Sequence, residues 1–134
     1  MADITLITNE GAIDLSCETQ ADLSALQYFY VKRNTSELIV ACGANEKPLG
    51  ILQNAPLGTA TAPATATVRI QGVSKLVVAE TVAFGHFLTC TAASKGEVAD
   101  AAGEEYGARA LTSAEASDQA QVLICFGEVE ATDA

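Results

Sequence analysis

The sequence predicts an all-β fold, a small β-barrel or β-sandwich of β-clip-like shape. Three observations predict it. Apolar and β-branched residues gather in many short runs bounded by Gly, Asn, Pro or Ser, which is how strands in such folds are written. Helical signals are weak. A strand-turn-strand pattern recurs at an offset of about sixty residues, so two units of roughly four strands each pack into one pseudo-symmetric barrel.

The elements follow in chain order. Ile4–Thr8 alternates like a strand. Thr19–Leu26 has room for one or two helical turns, with Thr19 or Asp22 as cap. Tyr28–Lys32, Leu38–Ala41, Leu49–Gln53, Thr67–Gln71, Lys75–Ala79, Phe87–Cys90 and Val122–Phe126 read as strands. Ser113–Gln121 tolerates a helix but has no apolar stripe. In the repeat, Tyr28–Val31 corresponds to His86–Thr89, Glu37–Ala41 to Glu97–Ala101, Pro48–Leu52 to Gly107–Leu111, and Ala66–Ile70 to Ala120–Ile124. The competing reading is chance similarity in an Ala-rich chain.

Residues 1–25 fall outside this repeat and carry acids but no Lys or Arg. They read either as a disordered leader or as an extended N-terminal arm that orders on a partner, with Ile4, Leu6 and Ile7 as its apolar patch. Residues 26–127 form the β-rich core domain and 128–134 an acidic tail. Asn54–Ala66 is an uncharged loop punctuated by Pro56, Gly58 and Pro63. It reads either as a contact with another chain or as a flexible insert.

Composition narrows the function. The chain has 134 residues, enough for one domain. Seventeen acids against seven bases give a formal charge of −10, which argues against a nucleic-acid binder, because phosphate contacts need a basic face. No apolar run approaches the roughly 18 residues of a membrane helix, and no signal-peptide pattern is visible, so a cytosol-like compartment is expected. Cys17, Cys42, Cys90 and Cys125 are isolated in sequence and read as small hydrophobes, with disulfides or a metal as the alternative.

Chemistry is scarce. His86 is the single histidine and has no motif partner. No nucleophile elbow, P-loop or dinucleotide fingerprint is present. Glu104 and Glu105 sit in a turn and read as solvated, or as two carboxylates of a hard-cation site. Lys32, Arg33, Arg69 and Lys75 read as solvated strand ends or as contacts for an acidic partner. A non-enzymatic protein without cofactor or metal is expected.

Two runs carry a family resemblance. One is Lys47-Pro48-Leu49-Gly50-Ile51-Leu52-Gln53-Asn54-Ala55-Pro56. The other is Ala66-Thr67-Val68-Arg69-Ile70-Gln71-Gly72-Val73-Ser74-Lys75. Together with the strands at Phe29–Lys32 and Phe87–Thr89, the chain over residues 26–126 resembles the tailed-phage capsid cement, or head decoration, proteins. The family's acidic turn before the later strand reads Phe84-Gly85-His86 here, without the Asp. The resemblance implies a virion protein on the outer surface of the expanded capsid, bracing it against genome pressure. It implies the major capsid protein as partner and a homo-trimer as the form on the capsid, with neither nucleic acid nor membrane bound. By position, Ile4, Leu6, Ile7, Pro56, Leu57, Pro63, Arg69 and Lys75 are the expected contacts. The competing functions are a β-barrel ligand-binding module, a small hydrolase using His86, and another virion part such as a tail or head-completion component.

Overall fold

The computed structural model describes residues 11–130. It contains ten strands: β1 (Ile13–Thr19), β2 (Tyr30–Arg33), β3 (Ile39–Ala41), β4 (Gly50–Leu52), β5 (Ala64–Gln71), β6 (Val73–Val77), β7 (Phe87–Cys90), β8 (Gly96–Val98), β9 (Glu105–Ala110) and β10 (Gln119–Glu128). No helix occurs among the described residues. The segments 19–26 and 113–121, weak helix candidates, are turns flanking strands.

The strands form two antiparallel sheets, ordered β1-β5-β4-β2-β3 and β6-β10-β9-β7-β8. The second order is the first with every strand replaced by its counterpart five places on. Tyr30 opens β2 and Phe87 opens β7, while Ile39 opens β3 and Gly96 opens β8, an offset of 57 residues in both cases. The repeat expected from sequence holds in outline, with five strands per unit rather than four, but its alignment is corrected: Phe87 matches Tyr30 rather than Phe29, and Gly96 rather than Ala99 matches Ile39. The barrel alternative is corrected: the sheets stay open and stack as a small sandwich. The extra strand at the head of each unit comes from β1 and β6. Thus Ile13–Thr19, expected in the arm, pairs along β5 from Gln71 to Ala64. The strand Ile4–Thr8 lies outside the described residues. At the other end, Val129 exchanges backbone hydrogen bonds with Gly103 and Glu104, extending the order beyond β10.

The repeat reaches into the turns. Asn34 Oδ1 accepts from the N–H groups of Ser36 and Leu38. Thr91 Oγ1 accepts from those of Ala93 and Lys95 at the corresponding places. Glu37 (φ 63°) and Ser94 (φ 65°) then take the left-handed conformation that closes each turn. Asn and Thr are different side chains, but each offers an oxygen at the same reach, so the backbone adopts one geometry.

Burial explains the stacking. Side chains alternate along a strand. On β2, Tyr30 faces the second sheet, while Val31 faces the other way; on β4, Ile51 and Leu52 divide likewise. Tyr30, Cys42 and Ile51 join Leu76, Val78, Leu88, Ala108, Ala110 and Val122 in the core between the sheets. Val31, Ile39, Leu52, Ala66 and Val68 form a second core, closed by Leu23 and Leu26 from the segment before β2. The first sheet is thus covered on both faces. This is why Tyr30-Val31 and Gly50-Ile51-Leu52 read as unbroken buried runs.

Candidate functional site

The residues named from sequence scatter. Ile4, Leu6 and Ile7 lie outside the described residues. Pro56 is buried, and its carbonyl accepts from Leu23 N–H at 2.9 Å. Leu57 beside it is 63% exposed and bridges Asp22. Pro63 is exposed at the far end of the same loop. The loop is tied down. Asn54 spans its mouth, donating to Thr65 O and accepting from Thr67 N–H. A Cβ on Gly58 would lie 2.4 Å from Thr19 O, so only glycine lets the loop approach β1 this closely.

Arg69 is committed to the fold. Its guanidinium grips Asp14 at 2.8 and 3.2 Å and donates to Val73 O at 2.9 Å. A forked pair of this kind fixes the β1–β5 register beside the bulge at Ile13 and Asp14. Lys75 is exposed, its ammonium 5.5 Å from the Tyr28 ring centre. Lys32 pairs with Glu46, and Arg33 lies 3.9 Å from Glu37. Three of the four cations read as strand-end charges are therefore paired with carboxylates.

The outer face of the second sheet holds what the sequence reading missed. Antiparallel register sets Phe87 opposite Arg109, Arg109 opposite Leu123, and Leu123 opposite Val73. These side chains form one row across β7, β9, β10 and β6. The Phe87 and Tyr106 rings meet at 4.5 Å, tilted by 38°. The Arg109 guanidinium lies 5.4 Å from the centre of the Phe84 ring. Phe84, Phe87 and Leu123 are 64%, 39% and 40% exposed. Phe126, 50% exposed, lies beyond Tyr106 on a cleft shared with Lys47, Pro48, Glu105 and Gly127. Three of the chain's four phenylalanines are thus at the surface, where large apolar patches mark contact sites. No motif announces this. The repeat as aligned in sequence set Phe87 against Phe29; the strands themselves put Phe87 at the place that Tyr30 holds in the first unit.

The remaining candidates are structural. His86 is exposed, and its Nδ1 accepts from Ala83 N–H, closing a turn. Glu104 caps the turn before β9 by accepting from Asp100 and Ala101 N–H groups. Glu105 pairs with Lys47 at 3.7 Å. Among the described residues no three His, Cys, Asp or Glu side chains converge as a metal site requires. Cys42 and Cys90 are buried, and Cys17 and Cys125 are partly buried; all four are free thiols. The Cys90 thiol lies 3.5 Å from Cys42 O across the inter-sheet core. Its hydrogen bond to the Cys42 thiol and its burial hold it well above the usual thiol range. Cys90 therefore packs as a neutral hydrophobe.

No family model matches the chain, and no curated protein matches it either. Among solved structures the fold is similar to the N base of head fiber gp8.5 in bacteriophage phi29. The TM-score is 0.65 at 10% sequence identity, over 90% of this chain and 99% of that one. At this identity the likeness is one of fold alone.

Proposed function

We propose that this chain is a structural protein of a phage virion. In this reading it is a decoration protein that binds the outer surface of the expanded capsid and braces it against genome pressure. The observation that carries the reading is the shared fold with the N base of a phage head fiber across nearly the whole of both chains. The two sequence runs that resemble capsid cement proteins, Lys47–Pro56 and Ala66–Lys75, point independently to the same class. Those runs supply β4, β5 and the start of β6, so they are framework.

The mechanism is adhesion by many weak contacts. One contact of moderate area is weak, because association costs translational and rotational freedom. A homo-trimer that engages several copies of the major capsid protein multiplies its local concentration. Leu57 and Pro63, exposed on a tethered loop, are the contacts favoured among the residues named by position. The net charge of −10 limits non-specific adhesion to other acidic surfaces.

Mixing the purified protein with expanded, undecorated capsids and imaging the particles tests this. Density at regular outer lattice points is expected, and Leu57→Asp should reduce occupancy without changing the melting temperature. Bare lattice points at saturating protein would overturn the reading. The role of an N-terminal arm is tested by deleting residues 2–10 only, since Ile13–Thr19 is a strand of the body. A second reading, another virion component, draws on the same fold likeness. Immunogold labelling of intact particles separates the two, placing label on the head face or elsewhere.

A further inference from the structure

The outer face of the second sheet combines apolar surface with unneutralised positive charge, in a chain whose formal charge is −10. Phe84, Phe87 and Leu123 are exposed there. Arg109 lies between Phe87 and Leu123 in the row that ends at Val73. Lys75, two residues past Val73 on β6, points to the same side. Among the described residues no carboxylate pairs with Arg109 or Lys75. An occupant that suits this face therefore carries apolar side chains and acids, and no bases of its own.

Residues 1–10 have that composition. They supply Ile4, Leu6 and Ile7 together with Asp3 and Glu10, and contain no Lys or Arg. They also join the body at the border of this face. Gln71 Nε2 donates to Gly11 O at 3.0 Å, and a Cβ on Gly72 would lie 3.0 Å from Ala12 Cα. Gly72 directly precedes Val73, the β6 member of the row. Reach is sufficient. Phe87 lies three strand spacings from Val73, about 14 Å at ~4.8 Å each. Residues 4–10, if extended, span about 23 Å at ~3.3 Å per residue. Alternation along such a segment puts Ile4 and Leu6 on one side.

We propose that residues 1–10 dock across the Phe87–Arg109–Leu123 row of the same molecule, with Ile4 and Leu6 against Phe87 and Leu123. Glu10, next to Gly11, then comes beside Lys75. Asp3, at the far end, comes towards Arg109, whose guanidinium lies 5.4 Å from the Phe84 ring centre. The segment is the molecule's own, because its tether at Gly11 gives it a local concentration that a separate partner lacks. This proposal does not rest on the virion reading, since the contact forms within one chain.

Nuclear magnetic resonance of the full chain at low concentration tests it. Contacts from the Phe84 or Phe87 rings to the Ile4 and Leu6 methyl groups are expected, and Leu123→Lys should abolish them. Thermal melts give a second readout. Leu6→Asp should lower the melting temperature of the parent by a few degrees and that of the Leu123→Lys variant by much less, because the two side chains touch. Lys75→Glu should weaken the methyl–ring contacts, and adding Glu10→Lys should restore them. Absence of the contacts overturns the proposal, as does an equal effect of Leu6→Asp in both backgrounds. Contacts found only between differently labelled molecules of a mixed sample assign the segment to a neighbouring copy and also overturn it. Contacts that form only once capsids are added do the same.

Discussion

The Tyr30 hydroxyl donates to the Leu88 carbonyl oxygen at 2.7 Å, which joins β2 of the first sheet to β7 of the second. The bond is wholly buried, so neither group has water as a substitute. Tyr30→Phe keeps the ring and orphans the carbonyl. The expected cost is about 1–3 kcal/mol in a denaturant titration. Burial also holds the Tyr30 phenol well above 10.0. Its contribution is fully present below pH 10.0. It is lost as pH rises further, because the unfolded chain ionises first. Parent stability should therefore fall on the alkaline side, and Tyr30→Phe should fall less steeply. Equal slopes would contradict the assignment.

The acid side has a different origin. Lys32 and the Gly43 N–H both donate to the Glu46 carboxylate and hold it below the usual 4.5. A lowered carboxylate stabilises the fold above that value. The benefit disappears as pH falls through the folded-state value. Lys32→Met removes the larger cause. Its loss of stability between neutral and acid pH should be smaller than the parent's, as read from melting temperatures at stepped pH. Both groups are partly exposed, so high salt should narrow the difference.

Glu37 and Ser94 are equivalent in backbone but not in surroundings. Both carry a positive φ that glycine adopts more readily. Glu37 is solvent-facing, so Glu37→Gly should stabilise the chain by about 0.5–1 kcal/mol through relief of that conformation. Ser94 is buried, and its hydroxyl donates to Cys42 O at 2.6 Å across the sheets. Ser94→Gly should destabilise by about 1 kcal/mol or more, since the lost bond outweighs the relief. Paired thermal melts of the two variants check the contrast in sign.

Gly107 marks where the units touch. A Cβ there would lie 2.7 Å from Pro48 Cγ and 2.9 Å from Tyr30 Cε1. Gly107→Ala must push the first unit off the second or bend β9. A loss of about 1–3 kcal/mol is expected, as for other overpacked cores. The measurement is again a denaturant midpoint. Pro48→Ala combined with Gly107→Ala should recover part of the loss, because it removes one of the two colliding groups.

Much of the fold is legible in the residues. The short β-branched runs at Tyr30–Arg33, Phe87–Cys90 and Gln119–Glu128 give strands, because alternation and propensity act locally. The repeat is visible in outline from its strand-turn-strand order, but its register is not: the equivalence of Asn34 and Thr91, each placing an oxygen where the same backbone N–H groups need it, emerges only from the structure. β1 is less legible. Ile13–Thr19 contains Asp, Ser and Glu at the exposed positions of an edge strand, and only its pairing with β5 makes it one. The sites were the least legible. Arg69 and Arg109 are both strand arginines flanked by small or apolar residues. One is held by Asp14, 55 residues away, and the other has no carboxylate partner among the described residues. Local sequence does not encode which.

The sequence by itself determined an all-β chain of duplicated units, rich in acid, whose few reactive groups form no catalytic motif. Those properties follow from residue type, spacing and charge, which need no partner to express. The tertiary structure alone decided that the sheets stay open and stack head to tail, so that Tyr30 and Ile51 are covered while Phe87 and Leu123 are left exposed. That outcome depends on which face of one unit meets the other. Such a choice is made by packing between residues more than fifty positions apart, as in Tyr30 and Leu88.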